Sequence, residues 1–308
     1  MVEILLSTYN GAAFVGQQIQ SILDQTETAW QLTIRDDGSA DNTAEIVQHY
    51  VTLDPGRICA FDADKENLGA CLSFGRQLGH SRAQYIMLCD QDDVWLPDKI
   101  AVTVRKFREM EALHGKDTPL LVFTDATVVD AQLNVLATSL WAYQKSAPET
   151  ASHLNRVLLM NPALGCTMMV NRALLDRALP IPRDAVMHDA WLLLVAAAFG
   201  KVGHVPQSTL LYRQHGRNEA GSRAWGPAHV VEQLRCLGAA REVIARLRGQ
   251  AAAFLERYGP YLDDRARGMV AAFARLDRRG FFGRRIDILR HRLFYVGFVR
   301  NVGWLLLC

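Results

Sequence analysis

Cysteine is scarce and scattered. The six residues, Cys59, Cys71, Cys89, Cys166, Cys236 and Cys308, form no C-x-x-C pair, and no histidine stands at zinc-ligand spacing from them. That spacing excludes a zinc module and speaks against a disulfide framework in a chain of 308 residues. The cysteines are expected to act as small apolar residues in a reducing compartment. A charge excess is also lacking: the formal net charge is +2, far from the strong basic surplus of a nucleic-acid-binding domain. Long hydrophobic runs are missing as well. The opening segment Met1-Val2-Glu3-Ile4-Leu5-Leu6 has no basic flank and is too short for a signal peptide or a membrane span, so a cytoplasmic location is expected. There is no internal repeat and no low-complexity tract.

What the chain does have is apolar material, 50% of its residues, enough to bury a large core. Short apolar runs at Val2 to Leu6, Trp30 to Ile34, Ile58 to Phe61 and Tyr85 to Cys89 are predicted to be strands. Helical spacing separates them, through Phe14, Ile19, Ile22 and Leu23, then Asp41 to Tyr50, then Leu72, Phe74 and Leu78. Strand-helix alternation of this length implies a Rossmann-like α/β fold, a doubly wound and mostly parallel sheet. Further strands are expected at Leu120 to Thr124, Val128 to Val129, Cys166 to Val170 and Ser208 to Tyr212, with a buried helix over Ala190 to Phe199. Beyond Gly226-Pro227 the pattern is helical, with Val230, Val231, Leu234 and Leu237 on one face. The chain therefore divides into residues 1–226 and a helical extension, 227–308.

Polar clusters fall at the C-terminal ends of the strands, the edge at which open α/β sheets bind ligands. Asp90-Gln91-Asp92-Asp93 packs three carboxylates into four residues. Such a cluster is costly without a cation, and hard oxygen ligands suit Mg²⁺ or Mn²⁺. A solvated acidic loop would explain it less well, because Trp95-Leu96-Pro97 follows at once. Asp36-Asp37-Gly38-Ser39 ends the second strand, and a carboxylate there can accept from a nucleobase N–H or a ribose hydroxyl. Capping by Asp41 and a turn at Gly38 account for part of that segment but not for the paired aspartates. Ser7-Thr8-Tyr9-Asn10-Gly11 offers hydroxyls and a ring for stacking, a weak signal alone. His188-Asp189 precedes the apolar helix, and a plain helix cap would explain it. In Tyr212-Arg213-Gln214-His215-Gly216-Arg217-Asn218, His215 is a candidate metal ligand and the arginines are candidate phosphate contacts.

Taken in order, the segments at 7–11, 36–43, 67–69 (Asn-Leu-Gly), 90–95, 188–189 and 212–215 resemble the family 2 glycosyltransferases of the GT-A fold. The resemblance covers about residues 1–220. The Asp-Gln-Asp-Asp-Val-Trp and Tyr-Arg-Gln-His segments look most like bacterial rhamnosyltransferase-type enzymes of cell-surface polysaccharide assembly. The resemblance implies a nucleoside-diphosphate sugar donor carrying UDP or dTDP, a divalent metal, and a glycan or lipid-linked acceptor. It places Ser7, Thr8, Tyr9, Asn10, Asp36, Asp37 and Asn67 in the nucleotide pocket, with Asp37 the partner of the base. Asp90, Gln91, Asp93 and Trp95 belong to the donor and acceptor side. The Asp-x-Asp member Asp92, with His215, would hold the metal, and Asp189 matches the general base of an inverting transfer. The Gln-x-x-Arg-Trp signature of processive synthases is absent, which favours addition of a single sugar.

Two other classes compete with this one. A nucleotidyltransferase would carry a Gly-rich, basic loop after the first strand, where Ser-Thr-Tyr-Asn-Gly stands instead. A non-catalytic nucleotide-sugar-binding protein on the same fold would be expected to lack Asp92 or Asp189.

Residues 277–300 hold seven arginines against two aspartates, interleaved with phenylalanine, isoleucine and leucine. Such a segment is expected either to lie on an anionic membrane surface or to pack as an amphipathic helix on the main domain.

Overall fold

The computed structural model describes residues 1–61, 66–216 and 237–307. The first half alternates as the sequence predicts: β1 (Val2–Thr8), α1 (Val15–Leu23), β2 (Trp30–Asp36), α2 (Thr43–Leu53), β3 (Ile58–Ala60), α3 (Gly69–His80) and β4 (Tyr85–Cys89). β3-β2-β1-β4 run parallel in that order, joined by helical crossovers. Asp41 does start α2, taking the Thr43 N–H at 3.1 Å, although the N-cap position itself is Asn42.

The second half is mixed. It comprises β5 (Val94–Trp95), α4 (Lys99–His114), β6 (Leu120–Asp130), β7 (Val135–Ala137), α5 (Leu140–Gln144), α6 (Leu154–Val157), β8 (Met168–Asn171), α7 (Arg172–Ala178), α8 (His188–Phe199) and β9 (Lys201–Gln214). β8 slots antiparallel between β4 and β6, and β6 and β9 pair parallel. The two runs at 120–124 and 128–129 belong to one strand, with register shifts around Asp125 where β6 pairs with β9. Asp125 interrupts the apolar run, yet it is buried and satisfied by Ser139 Oγ at 2.5 Å and the Leu140 N–H at 3.1 Å.

Side chains alternate across the sheet and so divide the core in two. Ile4, Leu6, Met87, Cys89, Leu120 and Val122 face one cluster, with α1 and α4. Leu5, Ile86, Leu88, Leu121 and Phe123 face the other, with α3, α7 and α8. Helix α8 is apolar all round, and every residue from Ala190 to Ala196 is buried, as such composition requires.

The same second cluster takes in α9 (Leu237–Tyr258), α10 (Asp264–Ala274), α11 (Phe281–His291) and α12 (Phe298–Leu307) through Phe254, Phe273, Ile288 and Trp304. Packing of an amphipathic segment on the main core is therefore present, and the exposed side of α11 and α12 is left over. The boundary at Gly226-Pro227 and the face through Val230, Val231 and Leu234 lie outside the described residues, as do Arg217, Asn218, Cys236 and Cys308. Cys59, Cys71, Cys89 and Cys166 are free thiols. Among the described residues, no helix is long and apolar enough to cross a membrane.

Candidate active site

A cavity of about 300 Å³ opens at the C-terminal ends of β1, β2 and β4. Its lining includes Ser7, Thr8, Tyr9, Asp37, Asn67, Asp90, Gln91, Asp92 and Asp189, segments far apart in sequence brought to one sheet edge.

Asp37 sits at the base of a buried polar network. It is 2% exposed and forms an ion pair with Arg35, which is fully buried. Its carboxylate also accepts the N–H groups of Leu68 (3.0 Å) and Gly69 (2.8 Å), which fastens the Asn67 loop to the end of β2. Arg35 Nη1 reaches Ser73 Oγ at 2.8 Å, and that hydroxyl lies 2.5 Å from Ser7 Oγ. The Leu68 N–H is shared between both Asp37 oxygens, so four hydrogen bonds converge on this carboxylate.

Gln91 is a clamp between two strand ends. Its Oε1 accepts from Thr8 Oγ1 (2.6 Å) and the Tyr9 N–H (2.8 Å), and its Nε2 donates to the Tyr9 carbonyl (3.1 Å). Tyr9 keeps its ring half exposed beside the cavity. The clamp needs a glycine at position 11, because a Cβ there would come within 2.1 Å of Gln91 Oε1 and 2.9 Å of Thr8 Oγ1. Gly11→Ala is expected to open this contact and weaken nucleotide-sugar binding by about tenfold, about 1.4 kcal/mol. Unchanged affinity by calorimetry would show that the clamp does not shape the pocket.

The acidic segment divides. Asp92 Oδ2 lies 2.7 Å from His215 Nε2, and the His215 ring stacks on Phe14 at 4.6 Å between centroids. Asp90 lines the cavity beside them. Burial, with the negative charges of Asp92 and Asp189, pushes its carboxyl up to about 7. Asp93 turns away into the interior, fully buried, and accepts the Arg213 N–H at 3.1 Å. Trp95 is 2% exposed and packs under the site with Lys99 Nζ 4.8 Å from its ring centroid. Neither Asp93 nor Trp95 lines the cavity: on the short strand β5, Trp95 pairs with Leu210 and points into the core. Asn10 and Asp36 do not line it either. Asn10 Oδ1 accepts the Ala40 N–H (2.8 Å), and Asp36 accepts from Ser39 Oγ (2.5 Å), so both tie the loops around the rim.

Arg213 braces the acidic segment. Its Nε donates to the Asp92 carbonyl (2.7 Å), Nη1 to the Ala131 carbonyl (2.8 Å) and Nη2 to Gln17 Oε1 (2.5 Å). The guanidinium is a strut that positions the acidic segment.

Asp189 stands at the first turn of α8. Its oxygens accept the Gly165 N–H (2.9 Å) and the Ala190 N–H (2.6 Å). Those bonds favour the ionised form, as a helix start should, but burial outweighs them and raises the carboxyl to about 6. His188 beside it was singled out with Asp189 in the sequence, but without a role of its own. It is buried, stacks on Phe74 at 4.1 Å, and is held neutral, with its pKa lowered by burial to about 3. Gly69, Ala70, Phe74, Leu164, Gly165, Met187 and Tyr212 complete the lining. No sequence signal set Phe74, Leu164 or Met187 apart from core residues.

Two acidic groups can be weighed as cation sites. Asp90, Asp93 and Cys166 have ligand atoms within 4.8 Å of one another. Only Asp90 of these lines the cavity, and burial raises the Cys166 thiol well above its ordinary value, so it stays protonated. Asp92 and His215 offer a carboxylate oxygen and an imidazole nitrogen at the cavity rim. That mixed oxygen and nitrogen set fits a divalent ion of the Mn²⁺ type, and fits Mg²⁺, which prefers oxygen ligands, less well.

The description Glycosyl transferase family 2 matches residues 3–115, the β1–α4 portion that carries the loops of this cavity up to Asp93. Over residues 3–115 the chain is thus similar to the family 2 glycosyltransferases. TuaG of Bacillus subtilis, named as a teichuronic acid biosynthesis glycosyltransferase, is 26% identical to the enzyme over 206 residues, which cover 66% of this chain and 75% of the relative. The dTDP-rhamnosyl transferase RfbG of Shigella flexneri is 25% identical over 229 residues, 70% of this chain and 74% of its own length. Among solved structures, S. aureus TarS in complex with UDP-GlcNAc superposes with a TM-score of 0.57 at 15% identity, covering 94% of this chain and 89% of that one. The enzyme thus has the GT-A fold, with a helical C-terminal part.

Proposed function

We propose that the cavity binds a UDP- or dTDP-sugar, with rhamnose a candidate sugar, and transfers the sugar with inversion to a hydroxyl of a glycan or lipid-linked acceptor in cell-surface polysaccharide assembly. Residues 1–226 would form the catalytic unit and 227–308 the extension, working in the cytoplasm. The observation that carries this is the meeting of Asp189 with Ser7, Tyr9, Asp37, Asn67, Asp90 and Asp92 around one cavity. The names of TuaG and RfbG support the acceptor class and the sugar.

Tyr9 packs on the base and Asp37 accepts its imide N–H, which uracil and thymine share. Ser7 and Asn67 face the ribose, and Asp90 faces the ribose or the donor sugar. Asp92 and His215 would hold the divalent metal. When bound, that ion supplies positive charge against the diphosphate. The acceptor hydroxyl gives its proton to the Asp189 carboxylate as its oxygen attacks the anomeric carbon. The bond to the diphosphate breaks on the opposite face, and the nucleoside diphosphate leaves with the electron pair. One displacement inverts the anomeric centre without a covalent sugar-enzyme intermediate.

A base must be ionised to act. With Asp189 raised to about 6, kcat/KM is expected to fall about tenfold per pH unit below that value and to level off above it. Retention of the donor's anomeric configuration, read by NMR of the product, would rule out the single displacement. A rate flat from pH 5 to 8 would rule out Asp189 as the base.

A further inference from the structure

Helices α11 and α12 each bury one face and leave the opposite face apolar. On α11 the inward side is Asp287 and Ile288, while Phe282 (78% exposed), Ile286 (60%) and Leu289 (59%) point to solvent. At 3.6 residues per turn these three side chains fall within an arc of about 60°. On α12, Trp304 is buried, and Phe298 (83%), Val299 (52%), Val302 (41%) and Leu306 (77%) form a second outward stripe. Arg285 Nη2 donates to the Leu305 carbonyl at 2.6 Å, a hydrogen bond that links the two helices. Packing against the protein core has therefore used only half of each helix. An outward stripe of this size on a monomer marks an interaction surface.

The charges around the stripes say what kind of partner fits. Arg285 and Arg290 border the α11 stripe on its two sides, and Arg278 and Arg292 are exposed nearby. The only acids of the segment are already engaged: Asp287 with Arg279 at 2.8 Å and Asp277 with Arg248 at 2.6 Å. An apolar face rimmed with arginine, whose long stems can lie along acyl chains while the heads stay at the phosphate level, is the composition of a helix lying in a membrane interface. A second copy of this chain would bring the same cationic rim opposite itself, which like charges disfavour.

We infer that α11 and α12 together form a surface that docks in the plane of an anionic lipid bilayer, with Phe282, Ile286, Leu289, Phe298, Val302 and Leu306 in the acyl boundary and the arginines on the lipid phosphates. This holds whichever sugar the cavity transfers. The test is co-flotation of the full chain with phosphatidylcholine vesicles made with and without phosphatidylglycerol, alongside its mass in solution by light scattering. Wild type should float at least tenfold more with the anionic vesicles, and added salt should weaken it. Phe282→Ser with Ile286→Ser, exposed positions outside the cavity, should reduce flotation about tenfold with melting temperature and donor binding unchanged. Absence of wild-type flotation with anionic vesicles overturns the proposal. So does a wild-type dimer that the double variant converts to monomer.

Discussion

Asp189→Asn is expected to lower sugar transfer by about 10²–10⁴-fold, the contribution of a positioned general base, while donor affinity stays within about twofold. The amide keeps an oxygen for the Gly165 or Ala190 N–H, so the helix start and the cavity wall should survive. What is lost is the ability to take a proton. The environment has already tuned the native group: burial lifts it to about 6, a stronger base than an exposed carboxylate, yet still ionised at neutral pH. Single-turnover transfer and calorimetric donor binding, measured on the same preparation, check both halves. A variant that binds donor normally and still transfers at the wild-type rate would remove Asp189 from the mechanism.

The second large effect concerns stability. Asp37→Ala should destabilise the fold by about 3–5 kcal/mol, because it strands the fully buried Arg35 without its partner. At roughly 2–4 °C per kcal/mol the melting temperature should drop by about 10 °C. Pairing Asp37→Leu with Arg35→Met removes both charges, and such replacements are often neutral. The double variant should therefore recover much of the lost melting temperature without recovering nucleotide-sugar binding, since no acceptor for the base N–H remains. Recovery of both would make Asp37 purely structural. Recovery of neither would place the cost in the loss of the Leu68 and Gly69 N–H bonds.

The parallel half of the sheet was legible because β1 and β4 read as mostly apolar runs, β2 alternates apolar with polar positions, and each is followed by polar residues. Ser7, Asp37, Asp90 and Asp92 follow from that alone, as strand ends at one edge. The second half was less legible. Asp125 breaks the apolar run of β6 in sequence, and only the fold supplies the Ser139 and Leu140 partners that allow it to be buried. Position next to the acidic cluster misplaced Trp95, because strand alternation and pairing with Leu210 turn its ring inward. The same closeness in sequence hid the division of labour between Asp92, which meets His215, and Asp93, which braces Arg213. His188 was noticed beside Asp189, but its stacking on Phe74, more than a hundred residues away, shows only in the fold.

The central claim is that this cavity holds a nucleoside-diphosphate sugar with a divalent ion at Asp92 and His215. The most direct measurement is the thermal shift of the full chain against UDP- and dTDP-sugars, with GDP- and ADP-sugars for comparison, with and without Mn²⁺. Ligand at a hundred times its Kd stabilises by about 2.7 kcal/mol. The correct donor with Mn²⁺ should therefore raise the melting temperature by several degrees, and the gain should shrink sharply without metal or in Asp92→Asn. If no uracil or thymine nucleotide sugar moves the transition at millimolar concentration with Mn²⁺ present, the assignment of this cavity as the donor site is contradicted.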